Sequence, residues 1–124
     1  MPGESDRPDA VIIRPDEVPS ASEPENALVY KKLIEGAVHG PDISVTWIKI
    51  QGRHRKLVCD ASDRVYHILS GEGVFTLGKA APAVAKAGDT IFIPRGTPYA
   101  FEGEMTYLVM NGPAFRPGTD HYLE

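Results

Sequence analysis

The sequence predicts an all-β protein, and three features of the chain lead to this prediction. From Leu28 onward, short stretches of β-branched and aromatic residues recur at intervals of about ten residues. Glycine and proline separate these stretches, as the turns of an antiparallel sheet require, and no long helical pattern interrupts them. With 124 residues the chain has the length of one ordinary domain, so we expect one domain with one principal site.

The predicted strands cover residues 29–33, 43–50, 56–59, 65–69, 73–77, 90–93, 99–101 and 105–111. Eight short strands of this kind suit a jelly-roll β-barrel, which we place in residues 28–124. Two segments with glycine, 70–73 and 87–89, are each predicted to reverse the chain because their residues tolerate a positive φ. Residues 94–98 contain two prolines and form a rigid connector that directs Tyr99 into a new strand.

Residues 1–27 differ from the rest of the chain in composition. They are rich in Pro, Asp, Glu and Ser, which predicts a partly ordered N-terminal arm. Within this arm, the apolar residues 11–13 could pair as one short edge strand before the break at Pro15.

The overall composition excludes several classes of partner. The 13 basic and 17 acidic side chains give a net charge of −4, which repels nucleic acid, so nucleic acid is not expected as a partner. No apolar run has the length of a membrane helix and no signal segment begins the sequence, so we expect no membrane association and a cytoplasmic location. The single cysteine, Cys59, cannot form an internal disulfide.

Two stretches of the chain resemble the cupin superfamily: RVYHILSGEG at residues 64–73 and GDTIFIPRGTPY at residues 88–99. The second stretch is similar to the family's motif G-x5-P-x-G-x2-H, with Gly88, Pro94 and Gly96 in place. The final histidine of that motif is replaced by Tyr99. The resemblance, which spans roughly residues 43–112, implies a jelly-roll β-barrel with its site inside the barrel.

The positions that hold a metal ion in the family carry other residues here. The family's glutamate position is Arg64, and its histidine pair falls on Leu57 and Cys59, or on Val58 and Asp60 in a shorter register. Leu57 has no donor atom and Arg64 is a permanent cation that repels a metal ion. We therefore predict no metal at the usual place and no cofactor.

Strand alternation then gives a set of candidate site residues. If position 64 points inward, Tyr66 and Ile68 do so too, whereas His67 points outward. The same rule places Cys59, Tyr99 and Phe101 inside. The candidate catalytic residues are Tyr99, Tyr66, Cys59 and His54, and the candidate substrate-binding residues are Arg64, Trp47, Ile68, Ile91 and Phe101.

Each candidate has a functional and a structural interpretation. Arg64 either holds an anionic group of a ligand or has a structural role, in which it extends to solvent or pairs with a carboxylate of Asp60, Asp63 or Glu102. The phenols of Tyr66 and Tyr99 could donate a proton or, with a pKa lowered by Arg64, accept one, but buried tyrosines also fill cores. Cys59 is a nucleophile or a small apolar group, and His54 lies in a basic turn that either overhangs the barrel mouth or is simply solvated.

These residues favour a metal-independent enzyme that transfers a proton on a small oxygenated molecule, either neutral or anionic, as an isomerase, epimerase, cyclase or lyase. One alternative is a small-molecule binding or sensing module whose mark is an internally neutralised Arg64. Another is a metalloenzyme with unusual ligands drawn from His54, Cys59, Asp60 and Asp63. Val65, His67 and Leu69 form an apolar outward row, which predicts a homodimer.

Overall fold

The computed structural model describes residues 8–124, which form one antiparallel sheet of eight strands. The strands are β1 (Ala21–Glu23), β2 (Leu28–Ile34), β3 (Ser44–Cys59), β4 (Asp63–Leu77), β5 (Ala83–Lys86), β6 (Thr90–Ile93), β7 (Tyr99–Gly112) and β8 (Asp120–Tyr122). Within residues 8–124, helical structure is limited to α1 (Gly36–His39) and two 3₁₀ turns, Pro15–Glu17 and Pro24–Asn26. The prediction of an all-β class is confirmed.

Three long strands organise the sheet. Its order is β1-β2-β3-β7-β4-β5, with β6 pairing the first half of β4 and β8 pairing the end of β3. The central strand β7 pairs with β3 on one side and with β4 on the other along most of its length. The sheet surrounds a core of buried side chains, although it does not close into a complete barrel.

The long strands correct the predicted chain reversal at residues 70–73. These residues lie inside β4, which continues through them and joins two predicted strands into one. Gly71 has φ 77°, and a Cβ there would lie 2.1 Å from the carbonyl oxygen of Glu104, so glycine is needed for a bend rather than for a turn. Gly103, with φ 155°, bends β7 at its pairing with Gly73. The predicted reversal at residues 87–89 does form, between β5 and β6.

The core follows the alternation predicted for β4. Arg64, Tyr66 and Ile68 are buried, whereas Leu69 on the outer face is 45% exposed. Aromatic rings fill the centre of the core, where Phe101 stacks on Phe75 with 4.8 Å between ring centroids. The outer face of β6 exposes Phe92, of which 61% is accessible.

The edge strand of the N-terminal segment lies at other residues than expected. Residues 11–13 form no strand, and Val11 and Ile12 are exposed, so they bury too little apolar surface to pair with the sheet. The edge strand is instead β1, which pairs with β2. Residues 1–7 of the predicted arm lie outside the described residues. Within residues 8–124, the helices lack the length and apolar character needed to cross a membrane, and the cellular location stays a prediction.

Candidate functional site

A cavity of about 300 Å³ opens between the long strands and the C-terminal segment. Its walls come from β2, β3, β4, β7 and β8, because these strands turn their inner faces toward it. The polar side chains of the lining are Glu23, Lys32, Thr46, His54, Arg64, Asn111 and Asp120, together with tyrosines 30, 66, 107 and 122. Leu28, Ile48, Val109 and Phe115 supply most of the apolar surface.

Arg64 is the buried cation of this cavity. Its Nη1 donates to the hydroxyl of Tyr99 at 2.9 Å, and its Nη2 donates to Oδ1 of Asp120 at 2.5 Å. Burial acts to lower the pKa of Arg64, but Tyr99, Tyr66 and Asp120 together raise it above its ordinary value, so the guanidinium stays charged. Asp120 therefore supplies the internal carboxylate, rather than Asp60, Asp63 or Glu102, and Nε of Arg64 has no partner within residues 8–124.

A hydrogen-bond chain connects Arg64 to the cavity through two phenols. The hydroxyls of Tyr99 and Tyr66 lie 2.6 Å apart. Tyr99 accepts from Arg64, and either phenol can be the donor in the hydrogen bond between Tyr99 and Tyr66. When Tyr99 donates to Tyr66, the O–H of Tyr66 is left free for another acceptor. Tyr99 itself is 1% exposed and is not among the lining residues, so it lies behind Tyr66.

Burial decides the protonation of both phenols. It raises the pKa of Tyr66 well above its ordinary value and also raises the pKa of Tyr99, although Arg64 opposes both shifts. The expectation that Arg64 gives a phenol with a lowered pKa is therefore wrong, because the loss of solvation outweighs the neighbouring cation. Both tyrosines are proton donors at neutral pH, and neither serves as a base.

His54 occupies a position that the basic sequence around it did not suggest. It lies inside β3, is 7% exposed and stacks on Phe101 with 4.7 Å between ring centroids. Its Nδ1 is 2.8 Å from the carbonyl oxygen of Arg55, which can only accept, so Nδ1 carries the proton of the neutral ring. Burial lowers the pKa of His54, with only partial opposition from that hydrogen bond, from Glu23 and from Asp120. A neutral imidazole with an unprotonated Nε2 thus lines the cavity.

The other candidate residues lie away from the cavity lining. Trp47 is on the outer face of β3, where Lys31 packs 5.8 Å above its ring, because inward positions of this part of β3 are the even-numbered ones. Cys59, Ile68 and Phe101 are buried in the core, and Ile91 packs against it. The structure therefore brings together Arg64, Tyr66, Tyr99 and His54, but not Trp47 or Cys59.

The lining residues that the sequence interpretation missed include Glu23 on β1, and Asp120 and Tyr122 on β8. Each lies on a strand of three residues, which is too short to produce a recognisable alternation. The only signal in the sequence was the need for a carboxylate near Arg64, and Asp120 was one of many acidic residues that could have met it.

The suggested metal ligands do not come together. Within the part of the chain that the structure describes, no cluster of three or more His, Cys, Asp or Glu side chains could hold a metal ion. His54 faces the cavity, whereas Asp60 pairs with His121 at the surface and Asp63 pairs with Arg95. The donor set proposed for a metalloenzyme is thus dispersed.

A smaller cavity of about 170 Å³ adjoins the first. It lies between α1, the end of β2 and the segment after β7, and it is partly lined by Glu35 and Ser44. Lys32, Thr46, Phe115 and Pro117 line both cavities, so the two form adjoining compartments of one site.

Comparison with known proteins supports the fold. Pac13 of Streptomyces, described as a unique nucleoside dehydratase, matches with a TM-score of 0.80 and 21% identity, covering 94% of this chain and 92% of that chain. Its structures include tyrosine-to-phenylalanine and histidine-to-glutamine variants with uridine. The polyketide cyclase RemF from Streptomyces resistomycificus matches with a TM-score of 0.77 and 18% identity, covering 94% and 87% of the two chains.

Oxalate decarboxylase from Bacillus subtilis matches with a TM-score of 0.78 and 10% identity, over 99% of this chain and 35% of that chain. These similarities show that the protein has a cupin-like fold. No protein-family model and no curated protein sequence matches the chain.

Proposed function

We propose that the protein is a metal-independent enzyme that moves a proton on a small oxygenated substrate, in an isomerisation, cyclisation or elimination. One observation carries the proposal: a neutral histidine and a phenolic proton donor, His54 and Tyr66, line the same cavity. A general base and a general acid on one substrate are the requirement for such reactions. The likeness to a nucleoside dehydratase and a polyketide cyclase supports this class of chemistry.

In this mechanism Nε2 of His54 removes a proton from a carbon of the substrate. The C–H bond breaks and its electron pair forms a C=C bond to a neighbouring carbonyl carbon, whose π pair moves to the carbonyl oxygen, where Tyr66 donates a hydrogen bond or its proton. The protonated His54 then gives its proton to a second carbon of the substrate in an isomerisation, or to a departing hydroxyl group that leaves as water in an elimination. Charge that develops on Tyr66 is stabilised through Tyr99 by the guanidinium of Arg64. The low pKa that burial gives His54 keeps its lone pair available at neutral pH.

The charges of the cavity indicate the class of substrate. The carboxylates of Glu23 and Asp120 balance the cations of Lys32 and Arg64. Since Asp120 already neutralises Arg64, a substrate needs no anionic group to bind there, and a neutral molecule with several hydroxyl or carbonyl oxygens fits the mixture of donors and acceptors. A volume of about 300 Å³ suits a small molecule.

The test begins with the compound that the protein binds. Electron density in the cavity or mass spectrometry of the purified protein identifies a co-purified ligand, and NMR in D2O then follows solvent exchange or conversion of that compound. We expect turnover by the wild type, a loss of at least about a hundredfold in His54→Gln and a similar loss in Tyr66→Phe, with binding retained. His121→Gln is the matched control, because His121 lies at the surface and pairs with Asp60.

A binding or sensing module is the second candidate function. The neutralisation of Arg64 by Asp120 favours a binding or sensing role, because Arg64 then needs no charged group of a reacting substrate as its partner. A compound that is bound but neither exchanged nor converted by the wild type would establish this second function and overturn the first.

A further inference from the structure

A β-bulge in β3 lies directly after His54. His54 pairs with Phe101 and Leu57 pairs with Tyr99, so Arg55 and Lys56 on β3 face a single residue of β7. A bulge leaves backbone groups outside the regular ladder, and these groups need other partners when buried. The carbonyl of Arg55 is used by Nδ1 of His54. The orientation of the imidazole therefore depends on the position of the Arg55 backbone.

Asn26 holds that backbone. Its Oδ1 accepts from the amide nitrogen of Arg55 at 3.0 Å and from Nε of the same residue at 3.1 Å. Its Nδ2 donates to Oε1 of Glu23 at 2.9 Å and to the hydroxyl of Tyr122 at 3.1 Å. The amide thus makes four hydrogen bonds, its full ordinary capacity. Asn26 is fully buried and does not line the cavity, yet it contacts two residues that do, Glu23 and Tyr122.

We propose that Asn26 is a positioning residue that fixes the tautomer and orientation of His54 through the bulged backbone of β3. A catalytic use of His54 rests on the proposed function, whereas the tautomer and orientation of its ring do not depend on that function. Asn26 holds the Arg55 amide, so the Arg55 carbonyl stays directed at Nδ1 of His54. This carbonyl keeps the proton on Nδ1 and leaves Nε2 unprotonated toward the cavity. Phe101 and Tyr122 stack on the ring and restrict it further.

The direct test is ¹⁵N NMR of histidine-labelled full-length protein above the pKa of His54, with the His54 signals identified by their absence in His54→Gln. In the wild type we expect one neutral tautomer with the proton on Nδ1. In Asn26→Ala we expect a mixture of both tautomers, because the Arg55 peptide loses its fixed acceptor. A folded Asn26→Ala protein that keeps the single Nδ1–H tautomer would overturn the proposal.

Two matched variants test the other hydrogen bonds of Asn26 separately. Arg55→Ala removes the guanidinium contact but keeps the backbone amide, and Tyr122→Phe removes only the hydroxyl contact. Both should retain the Nδ1–H tautomer. If either variant produces the same mixture as Asn26→Ala, the backbone contact is not the decisive one and the proposal fails.

A measurement on the wild type covers the case in which Asn26→Ala does not fold. Hydrogen exchange at the Arg55 amide should be slowed by at least about a hundredfold relative to an unstructured amide, because its acceptor is buried. Rapid exchange of that amide would refute the proposal without any variant. If the tautomer results hold while His54→Gln retains full turnover, the positioning role stands and the proposed function fails.

Discussion

Replacing Asp120 by asparagine tests whether this carboxylate neutralises the buried Arg64. The variant keeps the shape of the side chain and one acceptor oxygen but removes the charge. Removing one partner of a fully buried ion pair costs about 3 to 5 kcal/mol. Because the Asp120 side chain is 20% exposed and that of Arg64 only 6%, and because asparagine still accepts a hydrogen bond, we expect a loss of about 2 to 3 kcal/mol in the free energy of unfolding.

Urea unfolding and thermal melting measure this loss, which corresponds to about 6 to 12 °C in Tm for a domain of this size. Asp60→Asn is the control, since it breaks a pair with His121 in which the side chains are 66% and 51% exposed. That change should cost less than about 1 kcal/mol. If Asp120→Asn is no less stable than Asp60→Asn, Arg64 is not neutralised by Asp120, and the account of the cavity charge is refuted.

The remaining predictions concern pH, metal content, assembly and the bend in β4. Because burial lowers the pKa of His54 from its ordinary 6.5, the unfolded chain takes up a proton first, so stability in urea should fall as the pH drops below 6.5; an equal pH dependence in His54→Gln would contradict this. Protein purified without added metal should contain far less than one equivalent of any transition ion by elemental analysis, and a chelator should not change its Tm; a stoichiometric ion would refute this. Light scattering should give a homodimer mass that Phe92→Asp reduces to that of a monomer, whereas a monomeric wild type would count against the apolar outer face as an interface. Gly71→Ala should destabilise far more than Gly118→Ala in urea unfolding, since both have a positive φ but only at Gly71 would a Cβ meet backbone atoms, and equal losses would contradict this.

The alternation of β4 was predictable because it depends only on the two-residue period of a strand. It placed Arg64, Tyr66 and Ile68 inside and His67 outside, as the structure has them. Tyr99 lies in the hydrogen-bond chain between Arg64 and Tyr66 because the glycines and proline before it direct the backbone into β7. The strand period and the turn residues are local features, so they can be recognised in a single sequence.

The features that the sequence did not reveal depend on contacts between distant segments. His54 was expected in a basic turn, but β3 continues through that segment and the strand alternation turns the ring inward. The amide that supports it comes from Asn26, and the carboxylate near Arg64 comes from β8. No local pattern specifies such partners, because side-chain hydrogen bonds between distant segments follow from the assembled sheet.

The position of β8 has a consequence for the order of folding. The contact between Arg64 and Asp120 joins residues 56 positions apart, and β8 pairs with β3, from which four strands separate it in the sequence. Contacts of large sequence separation form late, because the entropy of loop closure opposes them until other contacts hold the chain together. During refolding, the main sheet should therefore form before the guanidinium is neutralised, and the cavity becomes competent to bind only in the final step.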